Sequence, residues 1–129
     1  QTGPKVGSFD GGYGASLLAA QVGQKRAKEI WFLCRQYDAA QALQMGLVNR
    51  VVPSDKLMAE SEQLLRTILA NGPLAVRLCI EAVDAGLEMS LEEALLLEAN
   101  HFGLLASTDD MREGMGAFLE KRTASFRGS

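Results

Sequence analysis

A glycine-rich stretch, residues 3–14 with the sequence GPKVGSFDGGYG, is the part of the chain whose composition packing alone does not explain. Five glycines and one proline surround a single acid, Asp10, and a single tyrosine, Tyr13. Glycine permits positive φ and close backbone approach, so a run this dense predicts a loop wrapped around a ligand. Asp10 is the candidate for chemistry there. Because aspartate before Gly-Gly is common in turns, a plain turn residue stays open as its alternative role.

Beyond this loop, the apolar residues recur at three- and four-residue spacing, which predicts helices almost throughout. In the second of these helices the spacing groups Ala27, Ile30 and Trp31 on one apolar face, and Trp31 and Phe32 are predicted to be core residues. Asp38, Ser90 with Glu93, and Ser107 or Thr108 are the predicted caps, and Pro73 suits a first helical turn. One strand is predicted before Pro53, and the polar tail from residue 123 is expected to fray. The predicted helices are 15–22, 24–35, 39–45, 55–70, 73–85, 91–106 and 109–122, and the strand is 47–52.

The predicted elements divide the chain near Pro53. Residues 1–53 hold the loop, short helices and the strand, which we expect to complete an α/β core that begins in an N-terminal part of the same protein. Residues 54–129 form a helical subdomain, and residues 91–105 carry more aliphatic surface than one neighbouring helix can cover. This second part is therefore a candidate for subunit association.

Composition narrows the classes of partner. A formal net charge of −3 and a pI near 5.1 argue against nucleic acid or an anionic membrane as the main partner. No apolar run reaches the roughly 18 residues that a transmembrane helix needs, and no secretory signal is recognisable. Cys34 and Cys79 lack partners at metal-ligand spacing and His101 is a lone histidine, so we predict buried reduced thiols, no metal and a cytoplasmic protein.

Two later segments resemble a known superfamily. The segments DAAQALQMGLVNRVVP, residues 38–53, and STDDMREGMGAFLEKRTASFRG, residues 107–128, look like those of the crotonase, or enoyl-CoA hydratase/isomerase, superfamily. The first part, QTGPKVGSFDGGYG with VGQKRAKEIWFLCRQYDAAQALQMGLVNRVV, is more narrowly similar to its 1,4-dihydroxy-2-naphthoyl-CoA synthase branch. The resemblance implies an α/β crotonase fold, a ClpP-like spiral, of which this chain is the mostly helical C-terminal part with about one strand. It also implies a homotrimer or hexamer.

The same resemblance implies roles for residues of the loop. Gly3 stands where hydratases carry a catalytic glutamate, and synthases with glycine there are thought to hold bicarbonate beside it. Asp10 matches the synthase's catalytic acid, with Ser8 as its helper. The implied substrate-binding positions are Gly7, Phe9 and Tyr13, although Tyr13 as a packing residue and Ser8 as a simple loop hydrogen bonder stay open.

The implied substrate is a coenzyme A thioester, with no other tightly bound cofactor. Lys121 and Arg122 are candidates for binding its CoA part, and Lys25, Arg26 and Lys28 are a weaker alternative that also fits a solvated face. The implied reaction is the intramolecular Claisen (Dieckmann) ring closure of o-succinylbenzoyl-CoA, in menaquinone biosynthesis. Three alternatives stay open: a ring-opening β-oxo-acyl-CoA hydrolase, an enoyl-CoA hydratase-like enzyme, and a catalytically silent helical assembly fragment. Ala106 departs from the synthase branch, which carries a tyrosine at that position.

Overall fold

The computed structural model describes residues 3–9 and 11–129. Its contacts divide the chain into two compact units, Gln1–Lys56 and Leu57–Ser129. The described residues form α-helices and short 3-10 helices, and no strand occurs among them. The boundary predicted near Pro53 stays a prediction.

The first unit is built around two packed helices. A 3-10 helix spans Gly3–Val6, and α1 (Gly14–Val22), α2 (Gln24–Leu33) and α3 (Ala39–Gln44) follow. Helix α2 contacts both α1 and the 3-10 helix. It buries Ala27, Ile30 and Trp31, whose three- and four-residue spacing places them on one face, as predicted.

Two details of α2 differ from the prediction. The helix ends before residue 35 because Cys34 adopts a left-handed conformation, with φ of 46°, and its N–H donates to the carbonyl of Ile30. Phe32, which we predicted to be core, is 72% exposed because it lies about 100° around the helix from Trp31 and so off the buried face. Cys34 itself is buried and reduced, as predicted.

The predicted strand at residues 47–52 is wrong. Asp38 caps α3 through a capping box, and Gly46 then takes a φ of 76°, so that the Leu47 N–H donates back to the carbonyl of Ala42 at 2.9 Å. A strand needs a neighbour that pairs with its backbone groups. Within residues 3–9 and 11–129 no such neighbour exists, so the apolar alternation of this segment ends in turns and coil.

The second unit is a set of helices. A short 3-10 helix, Ser54–Lys56, precedes it, and the unit contains α4 (Leu57–Leu69), α5 (Pro73–Gly86), α6 (Leu91–Ala106) and α7 (Asp109–Glu120). Helix α6 packs against α5 and α7. The Ser90–Glu93 capping box, the Thr108 cap and Pro73 in the first turn of α5 are all confirmed.

The apolar stripe of α4 is exposed. No residue of this helix is buried, although its periodicity predicts an inward face with Leu57, Leu64 and Ile68. In the same unit Cys79 is exposed, so the prediction of a buried thiol is wrong at that position. Both results have one reason: periodicity shows which side chains share a face, and only a packed neighbour can bury that face.

The tail after α7 is ordered, so the prediction that it frays is wrong. The backbone N–H groups of Arg127 and Gly128 donate to the buried carboxylate of Asp110, at 2.7 and 2.8 Å. The ring of Phe126 packs beside Gly72 and Gly114. Helix by helix, the described residues offer no segment with the length and apolar character needed to cross a bilayer.

Candidate functional site

The glycine-rich loop folds back on itself at its start. The N–H of Ser8 donates to the carbonyl of Gly3 at 2.9 Å, and the N–H of Gly7 donates to that of Pro4 at 3.3 Å. Gly7 takes a φ of 73°, which a residue with a side chain rarely adopts. The loop therefore has a defined backbone before the candidate acid is reached.

The fold-back leaves no room for a side chain at Gly3. A β-carbon there would lie 2.9 Å from Cα of Phe9 and 3.0 Å from the carbonyl oxygen of Ser8. Both are backbone atoms, so the loop itself would have to move to admit even alanine. A glutamate at this position is incompatible with the loop conformation that the chain adopts.

The loop residues Gly7, Ser8, Phe9 and Tyr13 lie on the surface of the first unit. Ser8 is exposed, and its hydroxyl donates to the carbonyl of Phe9 in a long bond of 3.4 Å. The side chain of Phe9 is 70% exposed and that of Tyr13 is 62% exposed. Asp10, the predicted acid, lies outside the described residues.

Tyr13 occupies an unusual backbone position at the start of α1. It is the N-cap residue with φ of 70°, and its carbonyl accepts from the Leu17 N–H at 3.0 Å, while its side chain makes no capping bond. Left-handed backbone is uncommon outside glycine and tends to occur at functional turns. The conformation turns the chain from the loop into the helix and points the phenol outward.

Trp31 brings a buried polar group to the same unit. Its side chain is 7% exposed, as predicted for a core residue, but its indole Nε1 is buried and has no hydrogen-bond partner within the described part of the chain. A buried N–H without an acceptor is costly, so it marks a place where an acceptor belongs. Sequence periodicity placed Trp31 in the core and gave no sign of this group.

The basic first turn of α2 is a surface feature. Arg26 pairs with Glu29 at 2.9 Å, and Lys28 donates to the side chain of Gln24 at 3.4 Å. Lys25 and Arg26 line an open surface pocket of about 550 Å³. The pocket is large enough for an anion. The paired side chains are equally consistent with a solvent-exposed face that binds no ligand.

The two C-terminal residues predicted to bind CoA, Lys121 and Arg122, differ in their contacts. The guanidinium of Arg122 bonds to both oxygens of Glu113, at 2.6 and 2.8 Å, and to Glu120 at 2.6 Å. Lys121 caps α7 with a φ of 55° and makes no ion pair within the described residues. Arg122 is thus occupied by carboxylates, whereas Lys121 has its ammonium available to a ligand.

Two acids of α7, Asp110 and Glu113, hold the tail, and we did not predict this role from the sequence. Their spacing on α7 was visible in the sequence, but their partners lie up to eighteen residues further along the chain. No group of three or more potential metal ligands occurs in the part of the chain that the structure describes. His101 lies in the second unit, mostly buried, with Nε2 3.7 Å from a carboxylate oxygen of Glu81.

The chain is similar to known proteins in both sequence and structure. The family pattern described as enoyl-CoA hydratase/isomerase matches residues 1–129. An enoyl-CoA hydratase from Bacillus anthracis is 34% identical with a TM-score of 0.96, and 99% of this chain covers 50% of that one. An enoyl-CoA hydratase subunit I from Geobacillus kaustophilus is 38% identical with a TM-score of 0.94, at the same coverage.

A third solved structure, Pseudomonas aeruginosa DspI, is 30% identical with a TM-score of 0.91, and 97% of this chain covers 48% of it. The chain thus spans about half the length of each of these structures. The expected fold, the mostly helical C-terminal part of a crotonase, is confirmed by this agreement over almost every residue. The chain belongs to the enoyl-CoA hydratase/isomerase family.

Proposed function

We propose that the complete protein is a lyase acting on a coenzyme A thioester, and that its reaction is the ring closure of o-succinylbenzoyl-CoA to the naphthoyl product. The observation that carries this choice is the closed loop at Gly3, where a β-carbon would meet backbone atoms at 2.9 and 3.0 Å. The glutamate of a hydratase therefore has no place in this loop. The acid has to come from elsewhere, and Asp10 is the acid that the loop contains.

In this proposal Asp10 is the catalytic acid and base. A carboxylate within reach of an acidic substrate carbon can take up its proton, and the resulting carboxylic acid can return it. Ser8 donates a hydrogen bond that positions the acid or the substrate. Gly7, Phe9 and Tyr13 form the rim that meets the acyl group.

The reaction balances without a redox step. A base removes a proton from the carbon next to the thioester carbonyl, and the resulting carbanion attacks the carbon of the aryl carboxyl group to form the ring C–C bond. Backbone N–H groups stabilise the negative oxygen, an effect worth about 3 kcal/mol per donor in comparable sites. Loss of water and enolisation then give the aromatic ring, so protons are redistributed and no electrons leave the substrate.

Bicarbonate beside Gly3, which the resemblance implies, does not fit the loop as it is folded. Backbone atoms of Phe9 and Ser8 already lie 2.9 and 3.0 Å from where a β-carbon of residue 3 would stand, so a four-atom anion has no space there. No step of the proposed reaction therefore uses bicarbonate, and the proton is assigned to Asp10.

The CoA part of the substrate is assigned to Lys121, with Arg122 as its support. An ammonium is a compact cation that suits a phosphate, and Arg122 already has two carboxylate partners. We further propose a cytoplasmic homotrimer or hexamer. The exposed apolar stripe of α4 supports association, because a stripe of this length is seldom left in water.

A second candidate is an enoyl-CoA hydratase-like or ring-opening hydrolase activity. Ala106, the last residue of α6, favours it, because the synthase branch carries a phenol at that position. Two of the similar solved structures are also described as enoyl-CoA hydratases. A silent assembly fragment is the remaining alternative for the chain by itself.

The test is to incubate the complete protein separately with o-succinylbenzoyl-CoA, with crotonyl-CoA and with a cyclic β-oxo-acyl-CoA, and to follow each product by liquid chromatography and mass spectrometry. We expect the naphthoyl thioester from the first and no turnover of the others. An Asp10→Asn variant should lose the activity while still binding CoA. Hydration of crotonyl-CoA at a higher kcat/KM than ring closure would assign the protein to the second candidate.

A further inference from the structure

The end of α7 is a reversal with a fixed geometry. Helix α7 stops at Lys121 in a left-handed conformation, and the N–H of Arg122 donates to the carbonyl of Ala117 at 3.0 Å. This bond closes the last helical turn and sends the chain backwards. Residues 122–129 then run along α7 in the opposite direction, because residue 127 reaches Asp110 in its first turn.

Two carboxylates of α7 hold this returning segment at both ends. Glu113 accepts from the Arg122 guanidinium and from the Ser125 N–H at 2.8 Å. Asp110, which is 7% exposed, accepts from the N–H groups of Arg127 and Gly128, and its own N–H donates to the Ser129 carbonyl at 3.0 Å. Spaced three apart, the two acids lie on the same face of the helix.

Phe126 anchors the middle of the segment. Its ring lies beside Gly72 and Gly114, where β-carbons would stand 3.6 and 3.3 Å from it. With Phe102 and Met111 it lines an apolar cavity of about 260 Å³. The tail is therefore held by hydrogen bonds at its ends and by an aromatic ring between them.

The holding contacts start at the residue after Lys121. Arg122 is bound by Glu113 and Glu120, and these contacts restrict the conformation of the backbone that follows Lys121. A long flexible cation loses rotational freedom when it binds, and a fixed backbone reduces how much has to be lost at that step. Glu113 acts on the residue next to Lys121, and Asp110 holds the far end of the same segment through the N–H groups of Arg127 and Gly128.

We propose that Asp110 and Glu113 are positioning residues, which hold the C-terminal tail against α7 and thereby set Lys121 to meet a phosphate group of a CoA thioester. The inference rests on the proposed function only in taking the ligand to be a CoA thioester. Neither acid touches the substrate. Both act through the reversal at Lys121.

The experiment measures KM and kcat of the complete protein with two thioesters of the same acyl group, one of coenzyme A and one of pantetheine, which lacks the phosphates. In Asp110→Asn, KM for the CoA thioester should rise about fivefold, the size of an exposed charge contact, with kcat within about twofold. KM for the pantetheine thioester should not change. Asp109→Asn is the matched control, since it removes the same charge at the neighbouring, exposed position paired with Arg112.

A double-mutant cycle with Lys121→Ala separates positioning from general loss of structure. If Asp110 acts through Lys121, the two substitutions together should raise KM no more than Lys121→Ala alone. Glu113→Gln should give the same pattern, and it replaces Asp110→Asn if circular dichroism shows that the latter does not fold. An equal rise in KM for both thioesters, or additive effects with Lys121→Ala, would overturn the proposal.

Failure of the proposed function has a different signature. A wild-type protein that neither turns over the CoA thioester nor binds free coenzyme A in calorimetry would contradict both proposals. Wild-type activity that depends on Lys121, together with an unchanged KM in Asp110→Asn and Glu113→Gln, would contradict this inference alone.

Discussion

Both carboxylate oxygens of Glu113 accept hydrogen bonds from one guanidinium, that of Arg122, at 2.6 and 2.8 Å. With the added N–H of Ser125, these contacts lower the pKa of Glu113 to about 2 from its ordinary value of 4.5, since they favour the charged form. The same pairing raises the pKa of Arg122. The pair is nine residues apart in sequence and joins α7 to the tail.

This pKa shift predicts a pH dependence of stability. A carboxyl whose pKa is lowered by folding stabilises the fold above its unfolded pKa, and the contribution is lost as the pH falls from about 4.5 to about 2. Urea unfolding of wild type and Glu113→Gln should therefore differ at pH 7 and converge in that window. Glu62→Gln, an exposed acid of α4 with a longer 3.9 Å pair, is the control and should show little difference throughout.

The closed loop at Gly3 predicts a large effect of a single methyl group. Gly3→Ala should lower kcat of the complete protein by about 100-fold, since its β-carbon would displace the backbone of Ser8 and Phe9, which precede the proposed acid Asp10 in the sequence. Gly11→Ala is the matched control, because no atom outside its neighbours lies within 4 Å of a β-carbon at that position. Steady-state kinetics of both variants provide the measurement, and equal activities would show that the loop opens at no cost.

Two glycines inside helices make a second matched pair. Gly103→Ala in α6 has open space and should stabilise the protein by about 0.5 to 1 kcal/mol through helix propensity. Gly114→Ala in α7 gains the same propensity but places a β-carbon 3.3 Å from the ring of Phe126. We expect a smaller gain or a loss there, measured as a change in Tm. An equal gain at both sites would mean that Phe126 does not pack as the structure has it.

The capping box of α6 predicts a stability cost at one serine. Ser90 accepts from the Glu93 N–H, while the Glu93 carboxylate accepts from the N–H and hydroxyl of Ser90. Ser90→Ala should destabilise the protein by about 1 kcal/mol in chemical denaturation. Ser61→Ala is the control, because Ser61 lies exposed in the middle of α4 and caps no helix. The same chemical change there should be neutral or slightly stabilising. A neutral result at Ser90 would place the helix start elsewhere.

Local chemistry determined much of the secondary structure. The caps at Asp38, Ser90 and Thr108 act within three residues of themselves, so the sequence is enough to predict where those helices begin. Periodicity likewise grouped Ala27, Ile30 and Trp31 on one face of α2. The glycines of the loop predicted an unusual backbone, and the left-handed Gly7 is an instance of it.

The loop's function is a different matter. Its residues were identified from the sequence and their resemblance to a family, and the roles of Asp10 and Ser8 remain predictions. Glycine frequency alone could not show that Gly3 excludes a side chain, because the atoms that fill the space belong to Ser8 and Phe9 in the folded loop. Nor could periodicity show that the buried edge of Trp31 carries a donor without an acceptor.

By itself, then, the sequence determined helix positions, caps and the candidate loop, because each depends on neighbours within a turn or two. Tertiary structure alone decided whether residues 47–52 pair as a strand, which stripes are covered, and what happens to the tail. Those outcomes depend on groups distant in the chain, such as Asp110 and the N–H of Gly128 eighteen residues later. A polar tail is predicted to fray from its sequence, because the buried carboxylate that accepts its backbone hydrogen bonds is known only from the folded structure.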